Sequence, residues 1–329
     1  MKYVIGIAGL PNAGKSTLIK MLSLADVEIA SYPFTTLKPK EVVSFYFPEE
    51  LEKLHQITKT EEVRPGALYF LDVPGLIRGA HKGEGLGNEF LSYLRACDAI
   101  IEVVRTFKNY KVPHPENTID PERDLLIIEE EILKAEEKHI ENLLNKFKKE
   151  RNEEKIEILE ELKAKIAPFL RFPEYEEKLK EFGFLITKPW YLIFNGEEKI
   201  EKPASFVGEF VLDLRYELEV LEKPELLSEF PSKKQEFLNN LRISLDFIQC
   251  FTFNEKITQL WLVKKGSTFL DFANEIHSDF AKNFKFAEVL PLEEFVKIKS
   301  WGLAQSSGLV KRKGKNDLVE ENEIILIKI

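Results

Sequence analysis

The stretch GLPNAGKST, residues 9–17, decides the fold of this chain. It fits G-x-x-x-x-G-K-[ST], a pattern in which backbone N–H groups point at a chain of phosphates and glycines allow a close approach. The preceding residues 3–8, YVIGIA, are typical of a short buried strand, and residues 17–24 have the apolar spacing of a helix. The start of that helix adds a partial positive charge that favours an anion. We therefore predict a phosphate-binding loop between an N-terminal strand and a helix.

Individual side chains of this loop have separate expected roles. We expect Lys15 to contact the β- and γ-phosphates as a catalytic charge clamp, and the Ser16 hydroxyl to bind Mg²⁺. The alternative is a glycine-rich turn that matches the pattern by chance, which the flanking strand and helix disfavour. The other residues expected to contact the nucleotide are Asn12, Ala13, Gly14 and Thr17.

The composition limits the classes of protein that the chain can belong to. Its 329 residues suffice for two or three domains, and its net charge of −9 gives no overall basic field for DNA. Cys97 and Cys250 lack the spacing of metal ligands, which indicates a reducing compartment. No apolar run approaches the ~20 residues of a membrane-spanning helix. We therefore expect a cytoplasmic protein without DNA or membrane partners. We also expect a monomer, although the composition does not itself decide this.

Strand and helix patterns alternate up to about residue 110. The segments ALYFLD (67–72) and AIIEVV (99–104) are typical of buried strands. Such alternation predicts an α/β fold with a mainly parallel sheet and helices on both faces.

A helical segment interrupts this domain. Residues 124–149 and 153–170 have apolar residues at three- and four-residue steps, separated by the polar stretch 148–152. They predict two antiparallel helices in a coiled-coil-like arm, either a charged solvated face or a partner-binding element. WYLIF, residues 190–194, is again typical of a buried strand, so the arm is inserted.

From about residue 246 the pattern changes to short strands and turns, which predicts a small α+β domain. The expected domains are a discontinuous nucleotide-binding domain of residues 1–117 and 186–245, the arm of residues 118–185, and the C-terminal domain of residues 246–329.

Two further motifs complete the expected phosphate and metal site. DVPG, residues 72–75, fits D-x-x-G; Asp72 at a strand end can hold Mg²⁺ through water, and the Gly75 N–H can sense the γ-phosphate. Between the motifs, SYPFTTL (31–37) contains a threonine suited to close over Mg²⁺. We prefer Thr36 over Thr35, and an ordinary loop threonine is the alternative.

The segment NGEE, residues 195–198, lies where the nucleotide base is expected. GTP-binding proteins usually have N-K-x-D here, with the aspartate accepting hydrogen bonds from guanine. This chain has Glu198 at the fourth place and no lysine at the second, so guanine should fit worse. We expect Asn195 and Glu198 to contact the base, with a plain polar turn as the alternative.

Together these motifs resemble the Obg-related P-loop NTPases. The likeness includes YPFTT (32–36), DVPGLIRGA (72–80), HKGEGLGNEFL (81–91) and DPERD (120–124), and the N-x-x-E variant is similar to the YchF branch, the Obg-like ATPases. The resemblance covers essentially the whole chain. It implies Mg²⁺-dependent hydrolysis of ATP in preference to GTP, and association with the ribosome (large subunit or 70S particle) and rRNA.

The same resemblance extends to the C-terminal domain and to catalysis. VKKGST (263–268) and IHSDF (276–280) resemble a TGS domain, which is β-grasp-like. Leu76 stands where Ras-type enzymes have a glutamine that orients water, so catalysis must come from elsewhere. The family likeness suggests that Asn12 helps to bind K⁺. It also suggests that His114, in the loop of residues 108–117, swings toward the γ-phosphate and helps catalysis. The alternative for His114 is an exposed loop histidine.

Three functions stay open from the sequence alone. The first is a slow ATPase switch, the second a nucleotide-gated ribosome-binding module with incidental hydrolysis, and the third a GTPase of the Obg or DRG type. DLRYE, residues 213–217, departs from the family pattern of a small-residue base-binding loop. The basic pairs and runs at 264–265 and 311–315 could contact rRNA phosphates or be solvated turns.

Overall fold

The computed structural model of the chain describes residues 2–24, 41–73 and 86–329, and it contains two six-stranded sheets. The strands of the first sheet are β1 (Val4–Ala8), β2 (Glu41–Tyr46), β4 (Gly66–Asp72), β5 (Ala99–Arg105), β6 (Trp190–Asn195) and β7 (Phe206–Leu212). The strands of the second are β3 (Glu62–Arg64), β8 (Phe247–Phe253), β9 (Ile257–Lys264), β10 (Phe286–Pro291), β11 (Lys311–Lys313) and β12 (Glu323–Lys328).

Twelve α-helices lie in the described part of the chain. They are α1 (Lys15–Ser23), α2 (Glu49–Thr58), α3 (Leu86–Arg95), α4 (Pro121–Glu150), α5 (Glu153–Lys165), α6 (Glu176–Leu179), α7 (Leu214–Leu221), α8 (Lys234–Ser244), α9 (Phe269–Ile276), α10 (Ser278–Lys282), α11 (Leu292–Ile298) and α12 (Trp301–Ser306). Within these bounds, no helix has the length and apolar composition needed to cross a membrane.

The first sheet has the strand order β2-β4-β1-β5-β6-β7. All neighbours are parallel except β2, which runs antiparallel to β4, so the predicted mainly parallel sheet is confirmed. Every residue of β5 and β6 is buried, as expected for parallel strands covered on both faces. The carboxyl ends of β1, β4, β5 and β6 meet at one edge, where open α/β sheets bind ligands.

Helices cover both faces of this sheet, as predicted. On one face Leu18 of α1 and Phe237 of α8 pack with Ile101 of β5. On the other face Leu94 of α3 and Leu125 of α4 pack with Ile100 of β5. Successive residues of β5 thus supply the cores on opposite faces, which follows from the two-residue period of a strand.

The predicted helical arm is present as α4 and α5. Asp120 caps α4 by accepting a hydrogen bond from the Arg123 N–H at 3.1 Å, and Pro121 occupies the first turn, where its missing N–H costs nothing. Lys163 pairs with Glu141 at 2.9 Å and Lys148 with Glu160 at 3.1 Å, which is the pairing of antiparallel helices.

Two buried ion pairs hold α4 in place, one to the chain that follows α5 and one to the end of α3. Arg171 pairs with Glu129, with Nη1 3.1 Å from Oε2, and Arg95 pairs with Glu136. Glu136 also accepts a hydrogen bond from the Leu185 N–H at 3.0 Å. Both carboxylates are fully buried, so removing either arginine would leave an uncompensated charge.

The second sheet forms the small α+β domain, with the order β11-β10-β12-β8-β9-β3. Its last strand, β3, comes from the N-terminal part of the chain and pairs in parallel with β9 (Glu62↔Ile257). A Cβ on Gly66, at the start of β4, would lie 2.9 Å from Cγ of Leu262, so the two sheets are in close contact there. The N-terminal segment therefore contributes strands to both sheets. The predicted division into residues 1–117 and 246–329 does not include this exchange of a strand between the domains.

Candidate nucleotide-binding site

The phosphate-binding loop lies between the end of β1 and the start of α1. Gly9 has φ 146°, Asn12 has φ 63° and Gly14 has φ 116°, so three of its residues adopt positive φ values that favour glycine or asparagine. A Cβ on Gly14 would lie 2.2 Å from Nδ2 of Asn195. The Leu18 N–H bonds to the Gly14 carbonyl at 2.9 Å, which places the free N–H groups of the first helical turn at the loop.

Lys15 folds back over the loop to which it belongs. Its Nζ donates hydrogen bonds to the carbonyls of Gly9 and Leu10, each at 2.8 Å, and the residue is 8 % exposed. Burial lowers the pKa of Lys15 to about 8, while the nearby Asp72 carboxylate acts in the opposite direction. The ammonium group is thus held beside the loop by two carbonyls that an anionic ligand can replace as its partners.

Ser16 and Asp72 lie at the same edge of the sheet. Ser16 is an exposed residue in the first turn of α1, and Asp72 ends β4, where it pairs with Ile7 of β1. A hydroxyl and a carboxylate are oxygen ligands of the kind that Mg²⁺ prefers, so the residues present fit that ion. Some positions discussed from the sequence lie outside the described residues. They are the predicted metal ligand Thr36 and its alternative Thr35, the predicted phosphate sensor Gly75, and Leu76.

Asn195 braces the phosphate-binding loop from the end of β6. Its Nδ2 donates to the Ala13 carbonyl at 2.8 Å, and its Oδ1 accepts from the Leu214 N–H at 3.2 Å. The residue is 5 % exposed. Both ends of its amide are therefore bonded to backbone, and Asn195 joins the loop to the start of α7.

Glu198 lies three residues beyond this brace. It is exposed and follows Gly196, whose φ of 143° turns the chain away from β6. The structure places Asn195 at the phosphate loop and leaves the Glu198 carboxylate accessible to solvent.

The segment 213–217 is the first turn of a helix. Oδ1 of Asp213 accepts hydrogen bonds from the N–H groups of Arg215 and Tyr216, both at 3.0 Å, and α7 begins at Leu214. An aspartate before an apolar-periodic run is an N-cap signal that the sequence contained. The family pattern has a small-residue base-binding loop at this place, whereas this chain has a capped helix beside Asn195.

His114 is buried next to the phosphate-binding loop. Its side chain is 5 % exposed and lines a small cavity together with Pro11 and Ala13. Its Nδ1 accepts a hydrogen bond from the Glu116 N–H at 3.1 Å, so the neutral ring has its proton on Nε2 and donates to Oδ2 of Asp124 at 2.8 Å. The alternative of an exposed loop histidine is therefore wrong, and both ring nitrogens already have partners.

Asp124, in the first turn of α4, is shared by two side chains. Besides His114, it accepts hydrogen bonds from Arg123, whose Nη2 lies 2.8 Å and whose Nε lies 3.2 Å from Oδ1. The first turn of the arm helix therefore holds the histidine that neighbours the phosphate-binding loop.

Arg105, which the sequence analysis missed, fastens the loop of residues 107–113. Its guanidinium donates to the carbonyls of Phe107 at 3.3 Å, Asn109 at 3.1 Å and Val112 at 3.1 Å. Nδ2 of Asn12 donates to the Pro113 carbonyl at 3.0 Å. An arginine that ends a fully buried strand was the available signal, because such a cation needs several acceptors.

Comparison with known proteins agrees with this architecture. Residues 4–159 match a family model described as "50S ribosome-binding GTPase", and residues 247–329 match the YchF-GTPase_C model, described as a protein of unknown function. The protein "Ribosome-binding ATPase YchF" of Mycoplasma genitalium is 32% identical over 98% of this chain and 98% of its own. The protein of that name from Haemophilus influenzae is 33% identical over 99% of this chain and 98% of its own.

Solved structures show the same relation. A structure titled as the Schizosaccharomyces pombe YchF GTPase superposes with a TM-score of 0.83 at 26% identity, covering 99% of this chain and 98% of the other. A "GTP binding protein" from Pyrococcus horikoshii, at 20% identity and a TM-score of 0.61, covers 100% of this chain and 99% of its own and shares the fold. Sequence relatives and fold thus agree over the full length, and the chain belongs to the YchF family of P-loop nucleotide-binding proteins.

Proposed function

We propose that this protein is a ribosome-associated ATPase switch, which binds ATP with Mg²⁺ and hydrolyses it slowly to ADP and phosphate. The observation on which the proposal rests most is the phosphate-binding loop, in which the buried Lys15 lies against the loop carbonyls and Gly14 adopts a positive φ next to Asn195. The full-length likeness to proteins named ribosome-binding ATPases supports the same function.

Lys15 is the proposed charge clamp. Its present acceptors are the carbonyls of Gly9 and Leu10, both uncharged, so β- and γ-phosphate oxygens would be stronger partners. Mg²⁺, when bound, neutralises charge that develops on the phosphate oxygens. Ser16, Asp72 and Thr36 are the residues proposed to hold it, and the Gly75 N–H is proposed to sense the γ-phosphate.

Slow hydrolysis follows from what the chain offers as catalytic groups. Leu76 has no hydrogen-bonding group with which to orient a water. His114, the proposed catalytic substitute, must first leave both Asp124 and the Glu116 N–H before either ring nitrogen can reach a phosphate. We propose that this release limits basal turnover and that the bound ribosome favours it.

The proposed preference for ATP rests on the turn after β6. Gly196 occupies the place of the usual lysine, and Glu198 occupies the place of the aspartate that reads guanine. Because Asn195 uses both ends of its amide on backbone groups, Glu198 is the side chain proposed to contact the base directly. Asn12 donates with its Nδ2 to Pro113, and its Oδ1 is the atom proposed to hold K⁺.

Lys264 of the first basic pair and the second basic cluster differ in their availability to rRNA. Lys264 is half-buried, donates to the Leu245 carbonyl at 2.7 Å and lies 4.2 Å over the Tyr3 ring, so it is already engaged within the protein. Residues 311–315 lie at the edge strand β11 and the turn after it, and are mostly exposed. We propose that this second cluster contacts rRNA phosphates.

Binding competition between ATP and GTP on the purified protein tests the nucleotide assignment. ATP should displace a labelled nucleotide at lower concentration than GTP, and a preference for GTP would overturn the interpretation of Glu198. Lys15→Ala should abolish hydrolysis, and full activity in that variant would contradict the proposed site.

The engagement of His114 favours a second candidate, a nucleotide-gated ribosome-binding module in which hydrolysis is incidental. Comparing ribosome binding in the presence of ADP and of a non-hydrolysable ATP analogue separates the two. In the switch, His114→Ala slows hydrolysis and prolongs the ATP-dependent ribosome-bound state, whereas in the module it alters neither ribosome binding nor the lifetime of the complex.

A further inference from the structure

The tip of the loop of residues 107–113 presents three side chains that take no part in the fold. Tyr110 is fully exposed, and Lys108 and Lys111 beside it are exposed as well. Across the described ranges 2–24, 41–73 and 86–329, none of the three side chains has a hydrogen bond, ion pair or ring contact. Packing and folding stability therefore give no reason for an aromatic ring at this position.

The backbone beneath these side chains is held firmly in place. Arg105 bonds to four carbonyls of the loop, those of Phe107, Asn109, Val112 and Pro113, and it lies 4.3 Å over the Phe107 ring. Oδ1 of Asn109 accepts from the Lys111 N–H at 2.9 Å, and the Val112 N–H bonds to the Asn109 carbonyl at 3.2 Å. The tip thus presents Tyr110 on a preorganised loop, which lowers the entropy cost of binding a partner.

The charge of the tip is opposite to that of the protein. Residues 106–113, TFKNYKVP, contain two lysines and no acidic residue, in a chain with a net charge of −9. An exposed aromatic ring between cations is the arrangement that binds single-stranded nucleic acid, because the ring stacks on an unpaired base and the ammonium groups contact phosphates. A tyrosine that anchors a protein–protein interface is usually surrounded by apolar side chains that exclude water, whereas the two neighbours of Tyr110, Asn109 and Lys111, are polar.

We propose that the loop tip Lys108–Tyr110–Lys111 docks a single-stranded segment of RNA, with Tyr110 stacked on one base. This inference rests on the proposed ribosome association and names a surface and a partner chemistry for it. The loop follows β5 directly and bonds to the phosphate-binding loop through Asn12 and Pro113. RNA docked on Tyr110 therefore lies beside the nucleotide site and four residues before His114.

The test measures binding of a fluorescently labelled, unstructured RNA of about 12 nucleotides to the full-length protein by anisotropy. Tyr110→Ala should weaken binding about tenfold, and Tyr110→Phe should retain the affinity, because both rings stack. Phe230→Ala is the matched control, since Phe230 is 41% exposed and distant in sequence from the loop; it should bind like the wild type.

The lysines are tested by the salt dependence of the same affinity. Lys108→Gln/Lys111→Gln should lower the slope of log K against log salt by about 1.4, the value for two phosphate contacts on a single strand. Basal ATP hydrolysis should be unchanged in these variants, because none of the three side chains contacts the nucleotide site.

Two results would overturn the docking proposal. One is that the wild-type protein does not bind the RNA, or that it binds the RNA with an affinity that neither Tyr110→Ala nor Lys108→Gln/Lys111→Gln changes. The other is full RNA affinity in Tyr110→Leu with ribosome association lost in Tyr110→Ala, which would assign the ring to an apolar pocket on a protein. Failure of the ribosome association itself is scored separately by co-sedimentation, so RNA binding through Tyr110 without co-sedimentation would contradict the proposed function and leave the RNA surface standing.

Discussion

Replacing Asp124 by asparagine tests whether His114 is held in an inactive position. Oδ2 of Asp124 lies 2.8 Å from Nε2 of His114, whose side chain is 5 % exposed, so water competes little for this hydrogen bond. Asparagine keeps the size of the side chain and an acceptor oxygen but removes the negative charge. The variant therefore weakens the bond while the packing around it is retained.

The expected magnitude follows from the loss of that charge. A hydrogen bond to a charged group contributes about 1.5–3 kcal/mol and a neutral one about 0.5–1.5 kcal/mol. The held position of His114 should lose about 1 kcal/mol, which raises the released fraction ~5-fold. Because release precedes the proposed catalytic step, kcat of basal ATP hydrolysis should rise by the same factor. KM should stay constant, since the Asp124 carboxylate is hydrogen-bonded to His114 and Arg123 and to no group of the phosphate-binding loop, residues 9–17.

Steady-state phosphate release without ribosomes measures both constants. The double variant His114→Ala/Asp124→Asn should have the low rate of His114→Ala alone, which assigns the gain to the histidine. Asp120→Ala removes the N-cap of the same helix without touching His114, so it controls for loosening of the helix start. If Asp124→Asn instead lowers kcat to the His114→Ala level, Asp124 orients an active histidine and the reasoning is refuted.

Three further predictions concern the nucleotide site. Glu198→Asp restores the shorter carboxylate of guanine-binding proteins and should shift the ratio of ATP to GTP affinity about tenfold toward GTP in a competition assay; an unchanged ratio would remove Glu198 from the base contact. Gly14→Ala should abolish nucleotide binding, because its Cβ would lie 2.2 Å from the Asn195 amide at a φ of 116°, whereas Gly302→Ala, with open space around it, should bind normally. Lys15, whose pKa burial lowers to about 8 in the free protein, loses its proton as pH rises through that value, while bound phosphates favour the charged form. ATP affinity should therefore fall above about pH 8, and calorimetry in buffers of different ionisation enthalpy should show proton uptake on binding near that pH; pH-independent affinity between about pH 7 and 9.5 would contradict this.

The sequence predicted the elements that have long or strongly apolar patterns. The strands ending at Ala8 and Asp72, the fully buried β5 and β6, and the arm helices lie where periodicity placed them, except that α5 ends at Lys165, before the predicted end at residue 170. The pairing of β3 with β9 could not be predicted from the sequence, because the three half-buried residues of β3 show no alternation of buried and exposed positions. Nothing in Glu62–Arg64 itself indicates which of two sheets it joins; that choice depends on contacts nearly 200 residues away in the chain.

The candidate site was predictable where a motif fixes the backbone and not where side chains bond across elements. Gly14 and Lys15 belong to a contiguous pattern whose geometry is local, so their placement followed from the sequence. The brace of Asn195 on Ala13 spans 182 residues, and that of Asn12 on Pro113 spans 101. Such bonds depend on the order of strands in the sheet, which brings the ends of β1, β5 and β6 to one edge.

These cross-element bonds connect the nucleotide site to the arm through one short segment. Asn12 bonds the phosphate-binding loop to Pro113, the next residue is His114, and His114 bonds to Asp124 in the first turn of α4. Asp124 and the arm belong to one continuous helix of 30 residues, so a partner bound along the arm would act on the segment that holds His114. A shift of α4 by about one ångström away from the loop would lengthen the 2.8 Å bond of His114 beyond hydrogen-bonding distance, because Asp124 moves with the helix while Arg105 and Asn12 hold the loop. We therefore propose that the arm and the nucleotide would act on the same histidine from opposite sides, so that a partner bound to the arm would change the position of the residue proposed to limit turnover.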